Sequence, residues 1–139
     1  MIFYLMRHLF VLIFLAGFLS ISANDPIPPK KEGNIIGIWV NDYDYAVMEF
    51  KKEGDTYVGI LIKPAKGHEL DKNGNPRKNE KLIKGLKYEN GIYVNGELYI
   101  PILNKYMKCE IKSIHEDLLE QYIRFGILKK TVTWSRVKE

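Results

Sequence analysis

The chain has 139 residues, 46% of them apolar, and a formal net charge of +4 from 21 basic and 17 acidic residues. That length gives one domain and leaves no room for a catalytic domain plus a second one. The apolar content excludes intrinsic disorder, and the lone Cys109 excludes an internal disulfide framework.

Residues 1–23 stand apart. Met1–His8 carries Arg7 and no acid, Leu9–Leu19 is apolar apart from Gly17, and small residues follow at Ser20, Ser22 and Ala23. This is the pattern of a secretory signal peptide, with cleavage after Ser22 or Ala23. The apolar run falls short of the roughly 20 residues a membrane-spanning helix needs, although an uncleaved N-terminal anchor is the competing reading. No cysteine lies near the cleavage site, so a lipoprotein signal is not expected. The expectation is a periplasmic or secreted protein with no stable membrane span after cleavage. Residues 24–34, with Pro26, Pro28, Pro29 and Gly33, read as a flexible lead-in.

From residue 35 onward nearly everything reads as strand and turn. Ile36–Asn41 is a short β-rich run. Tyr45–Lys52 alternates, with Ala46, Met48 and Phe50 on one face. Glu53-Gly54-Asp55 makes a hairpin turn into Thr56–Lys63, which Pro64 ends because proline cannot donate to a ladder. Val58–Ile62 is apolar on both faces, so its inward side is not readable. Ala65–Glu80 is a long loop. Lys81–Tyr88 fits a short helix or an irregular strand. Ile92–Ile100, bent at Asn95-Gly96, Tyr106–Ser113, Leu118–Phe125 and Lys130–Val137 complete a series of seven or eight strands. Their spacing is that of an antiparallel sandwich or barrel.

The candidate chemistry is sparse. Cys109 shares a face with Met107 and Ile111 and reads as a buried small hydrophobe. A Cys109–His115 dyad would set a mid-strand thiol against a turn histidine, with no third group to orient them. Asp71, Asn73 and Asn75 imitate the start of a calcium loop, but Pro76 takes the sixth position and no glutamate follows at the twelfth. His68 and His115 lack further ligands at metal-site spacing. Neither enzyme activity, nor a metal, nor a cofactor is expected. Residues 63–87 are rich in lysine, including Lys78, Lys81 and Lys84, and could meet anionic envelope components. Nucleic acid is not an expected partner, because no aromatics interleave with these cations.

The ends of the strand series resemble a lipocalin: Gly37-Ile38-Trp39 opens it and Trp134-Ser135-Arg136 closes it. That resemblance implies Trp39 plugging one end of a barrel with Arg136 laid over its ring, an arrangement worth about 0.5–2 kcal/mol. A more detailed resemblance is to the domain-of-unknown-function 2147 family of small exported bacterial proteins. It is carried by Gly37-Ile38-Trp39, Val47-Met48-Glu49-Phe50, Tyr57-Val58-Gly59-Ile60, Asp71-Lys72-Asn73-Gly74-Asn75-Pro76, Asn95-Gly96-Glu97-Leu98-Tyr99-Ile100-Pro101, Asn104-Lys105-Tyr106 and Trp134-Ser135-Arg136. Asn104 stands where that family tends to have glycine. The resemblance implies export and an all-β, antiparallel, lipocalin-like β-barrel over residues 35–139. It implies no catalytic residues.

Such a barrel could be a pocket. Tyrosines facing inward would give apolar walls with hydroxyl handles, and Arg124, two residues after Tyr122, could meet an anionic group. The expected lining is Met48, Phe50, Tyr93, Tyr99, Met107, Tyr122 and Arg124, around a small hydrophobic or amphipathic ligand. The alternative is a cell-envelope interaction protein without a pocket, using the basic surface of residues 63–87.

Overall fold

The computed structural model describes residues 31–138; the expected signal peptide and the first part of the lead-in lie outside them. Eight strands follow in order: β1 (Gly37–Asn41), β2 (Val47–Glu53), β3 (Thr56–Lys63), β4 (Glu80–Glu89), β5 (Ile92–Ile100), β6 (Lys105–His115), β7 (Leu118–Phe125) and β8 (Leu128–Arg136). Each pairs antiparallel with the next, and β1 returns to pair with β8, so the sheet is a closed barrel. Closure is made by Trp39 opposite Arg136, Val40 opposite Ser135 and Asn41 opposite Trp134. A closed sheet leaves no unpaired edge for another chain to extend.

The segment read as helix or irregular strand is β4. Its pairing with β3 shifts register twice, between Tyr57 and Gly59 and again between Gly59 and Ile60. Adjacent Leu82 and Ile83 are consequently both buried, which erases the alternation a regular strand would show. β8 begins at Leu128, two residues earlier than the sequence suggests, because Phe125 pairs directly with Leu128 across a tight turn.

Parity is now fixed. Tyr57, Gly59 and Leu61 of β3 face inward, as do Leu119, Gln121 and Ile123 of β7. The outer face is charged: Lys84 and Lys108 flank Glu97 at 3.7 and 3.9 Å, and Lys81 meets Glu53 at 2.9 Å. An apolar interior under a charged exterior is the reverse of a bilayer-spanning barrel, whose outer band is apolar. Among the described residues, no helix is long and apolar enough to cross a membrane.

One end of the barrel is sealed. Trp39, Phe50, Tyr93, Leu86, Ile111 and Leu119 are wholly buried there, with Tyr57 almost so. The Tyr57 and Tyr93 rings meet edge-on at 5.1 Å. Gly59 makes this packing possible, because a Cβ on it would lie 2.6 Å from Met48 Sδ and 3.1 Å from Phe50. The lead-in was expected to be flexible through Asn34. Its last residues instead form a turn across the sealed end, with Ile35 fully buried. The Gly33 N–H donates to Tyr93 Oη at 3.0 Å, and Asn34 Nδ2 donates to Ser113 Oγ at 2.7 Å.

Arg136 locks that turn in place. Its guanidinium lies 4.2 Å over the Trp39 ring. It donates to the carbonyls of Asn34 (2.6 Å), Ile36 (3.0 Å) and Glu116 (3.0 Å) and lies 3.6 Å from Asp117 Oδ1. Trp39 Nε1 donates to the Ile35 carbonyl at 2.8 Å. Gly37 is needed beneath: its φ is +136°, and a Cβ there would meet Arg136 Nη1 at 2.6 Å.

Candidate functional site

The other end is open. Four connections meet there: the β1–β2 loop, the long β3–β4 loop and the β5–β6 and β7–β8 turns. Between them lies a cavity of about 590 Å³. Its walls are inward residues of successive strands: Met48 from β2, Leu61 from β3, Leu82 from β4, Leu98 and Ile100 from β5, Ile123 from β7 and Val132 and Trp134 from β8. The β1–β2 loop forms one lip. There Asn41 Oδ1 accepts from the Tyr43 and Asp44 N–H groups at 2.8 and 3.3 Å, which turns the chain at the rim.

One polar side chain sits deep in this apolar wall. Gln121 is 2% exposed. Its Oε1 accepts from Trp134 Nε1 at 2.9 Å, while its Nε2 finds no oxygen or nitrogen acceptor and has only the weakly accepting Cys109 thiol beside it. An unsatisfied buried donor costs about 1–3 kcal/mol, so an acceptor placed in the cavity would be favoured. Burial favours the neutral form of the Cys109 thiol and pushes it up to about 12, partly offset by the Gln121 amide.

Cations stand at the mouth. Arg77, from the long loop, is only 14% exposed in its side chain. Its Nε lies 3.4 Å from Glu80 Oε1, and its Nη1 donates to the His68 carbonyl at 3.3 Å. His68 and Arg77 both line the cavity, and so does Lys130 of β8. The acids on the β1–β2 lip are occupied: Asp42 accepts from Ser135 Oγ at 2.9 Å and Asp44 from the Ala46 N–H at 3.1 Å.

The expected lining residues separate into three groups. Met48 lines the cavity, and Tyr99 reaches it only at the rim, where its hydroxyl donates to Asn104 Oδ1 at 2.6 Å and its ring packs on Tyr106. Phe50 and Tyr93 face inward but belong to the sealed end, and Met107 packs against the core opposite Leu98. Tyr122 and Arg124 share a face as expected, but it is the outer one. β7 buries Leu119, Gln121 and Ile123, so Glu120, Tyr122 and Arg124 turn to water. Tyr122 Oη donates to Glu120 Oε2 at 2.5 Å, Lys129 lies over its ring, and the carboxylate, with burial, pushes the phenol up to about 12. Sequence reading missed Gln121 and Arg77. The signal for Gln121 was a lone amide on the same strand face as Leu119 and Ile123.

Other sequence candidates take structural places. Asp71 Oδ1 accepts from the Asn73 and Asn75 N–H groups at 2.8 and 2.9 Å, so the calcium-like loop is closed on itself. His115 Nδ1 accepts from the Asp117 N–H in the sealed-end turn. Cys109 sits roughly 20 Å of strand away from it. Among the described residues no cluster of metal-ligating side chains forms. The basic segment 63–87 does not make one surface: Lys81 and Lys84 pair with Glu53 and Glu97 on the outer wall, while Lys66, Lys72 and Lys78 lie in the loop at the open end.

Comparison with known proteins agrees with this architecture. The family described as "Uncharacterized protein conserved in bacteria (DUF2147)" matches residues 37–136, from the glycine under Arg136 to Arg136 itself. The chain belongs to this family. Among solved structures, it is similar to a protein from Helicobacter pylori, HP1028, described as belonging to the lipocalin family. The TM-score is 0.60 at 17% identity, over 76% of this chain and 84% of that one. No curated protein matches the sequence.

Proposed function

With membership of this bacterial family and a lipocalin-like barrel as the premise, we propose that the protein binds one small, mostly apolar molecule carrying an anionic or other acceptor head group. The observation that carries the reading is the cavity of about 590 Å³, apolar-walled, with a buried Gln121 N–H that has no oxygen or nitrogen acceptor. Pockets for single small molecules run from about 300 to 1,000 Å³ and combine apolar walls with a few convergent polar groups. The apolar part of the ligand would lie along Met48, Leu61, Leu98, Ile123 and Trp134. A carboxylate or similar group would be met by Arg77 and Lys130 at the mouth or by Gln121 on the wall.

The reading is of a binding protein and not an enzyme: the one thiol is buried and held neutral, and the two described histidines lie at opposite ends of the barrel. We place it outside the cytoplasm, on the pattern of residues 1–23. Intact mass after cell fractionation tests that directly, with a chain starting at Ala23 or Asn24 expected in the envelope or medium.

Native mass spectrometry of protein taken gently from cells tests the cavity. A reproducible one-to-one adduct is expected in the parent, and none in Leu98→Trp, which fills the space. Titration with a dansylated fatty acid should saturate at one per chain. A clean apo mass together with no saturable probe binding would overturn the proposal.

A further inference from the structure

Apolar side chains left in water are concentrated at one end of this molecule. Among the described residues, Ile127 is fully exposed, Ile102 is 86% exposed, and Leu128 and Leu103 are 69% and 49% exposed. All four lie in the β5–β6 and β7–β8 turns or next to them, on hairpins that neighbour each other around the open rim. Aliphatic side chains at hairpin tips bury nothing within the barrel, and a cluster of them in water marks a contact surface.

The charges between them select the partner. The stretch Ile100–Tyr106 carries Lys105 and no acid; Arg124–Lys130 carries Arg124, Lys129 and Lys130 and no acid. Acids of the other two loops are turned onto their own chain: Asp42 to Ser135 Oγ, Asp44 to the Ala46 N–H, Glu69 to the Gly67 N–H and Asp71 to its own loop. Just below the tips, Tyr106 is half exposed with Lys84 4.3 Å over its ring. Aliphatic tips, a tyrosine at the next level and cations between them match the apolar edge, interface and anionic head groups of a bilayer in turn. Two copies meeting tip to tip would oppose cation to cation.

We infer that the open rim docks on an anionic membrane surface, with Ile102, Leu103, Ile127 and Leu128 entering the head-group boundary and Lys105, Arg124 and Lys129 meeting lipid phosphates. Docked this way, the cavity mouth faces the bilayer. The inference stands on the rim alone and goes beyond the cavity reading, so a protein with a filled cavity would still dock.

The test is local, so that the N-terminal apolar residues do not obscure it. An environment-sensitive fluorophore is attached to Ile127→Cys in the full chain, and in a control to Asp55→Cys at the sealed end; buried Cys109 stays unlabelled. With vesicles of phosphatidylglycerol and phosphatidylethanolamine, a blue shift is expected at position 127 and none at 55, with little response to phosphatidylcholine. Adding Lys105→Glu and Lys129→Glu should weaken the response about tenfold, as should added salt. Leu98→Trp should leave it intact. No shift at 127, equal shifts at both positions, or a shift that grows with protein concentration in the absence of vesicles would overturn the inference. The last outcome would assign the tips to a second copy of the chain.

Discussion

The two ends of this barrel use the same sheet for opposite purposes. At the sealed end, the inward positions hold Trp39, Phe50, Tyr57 and Tyr93, and the chain folds a turn across them that Arg136 fastens. At the open end, the inward positions of β2, β3 and β5 hold the smaller Met48, Leu61 and Leu98, and the space between the walls is the cavity. On these strands side-chain volume therefore divides the interior into a packed plug and a cavity. The plug is expected to carry most of the stability.

Truncation should show that division most strongly. Trp39→Ala removes the centre of the plug and the ring under Arg136, and should cost about 3–5 kcal/mol in urea unfolding. Ile123→Ala, at the cavity wall, opens no new enclosed void and should cost no more than about 2 kcal/mol. Equal costs would break the comparison. Gly37→Ala comes next. Its φ of +136° and the 2.6 Å approach to Arg136 Nη1 force the guanidinium off the Trp39 ring, at a cost of about 1–3 kcal/mol.

A change at the mouth should act mainly on binding. Arg77→Gln is expected to weaken an anionic amphiphile about tenfold in a probe titration, with only a small fall in the unfolding midpoint from the lost contacts to His68 and Glu80. A neutral amphiphile should lose little, which sharpens the assignment of the head group.

Alkaline pH probes the plug more gently. Burial, together with the hydrogen bond to Glu32 at 3.2 Å, pushes the Tyr57 phenol up to about 12, and burial also raises Tyr93. Unfolded tyrosine releases its proton near 10. The stability Tyr57 contributes is therefore fully present below pH 10 and is lost as pH rises through about 12. Unfolding midpoints should fall across that window. Tyr57→Phe should flatten the fall in part, since burial also raises Tyr93 and the Tyr122 phenol is pushed up to about 12.

Much of the fold was legible in the sequence, for physical reasons that also mark where legibility ended. A turn such as Glu53-Gly54-Asp55 announces itself by backbone preference, so strand number and order could be read. Gly37, Trp39 and Arg136 carry a pattern that makes sense only when the two chain ends meet. Strand parity was harder. β7 offers Leu119-x-Gln121-x-Ile123 on one face and Leu118-x-Glu120-x-Tyr122-x-Arg124 on the other, and an aromatic beside a cation resembled a binding wall. The structure buries the face with a single amide, because Trp134 Nε1 satisfies half of it, and leaves Glu120 and Arg124 in water. β4 was ambiguous because two register shifts bury adjacent residues. Arg77 could not be found from strand pattern at all, since a long loop brings it over the mouth.

The central claim is that one end is closed to ligands and the other open, and the chain carries one tryptophan in each. Trp39 is wholly buried in the plug, and Trp134 lines the cavity. Fluorine NMR of the protein labelled with 5-fluorotryptophan gives one resonance for each, assigned with Trp134→Phe. Titration with dodecanoate should move the Trp134 resonance and leave that of Trp39 in place. Movement of both, or of neither, would contradict a barrel divided into plug and pocket.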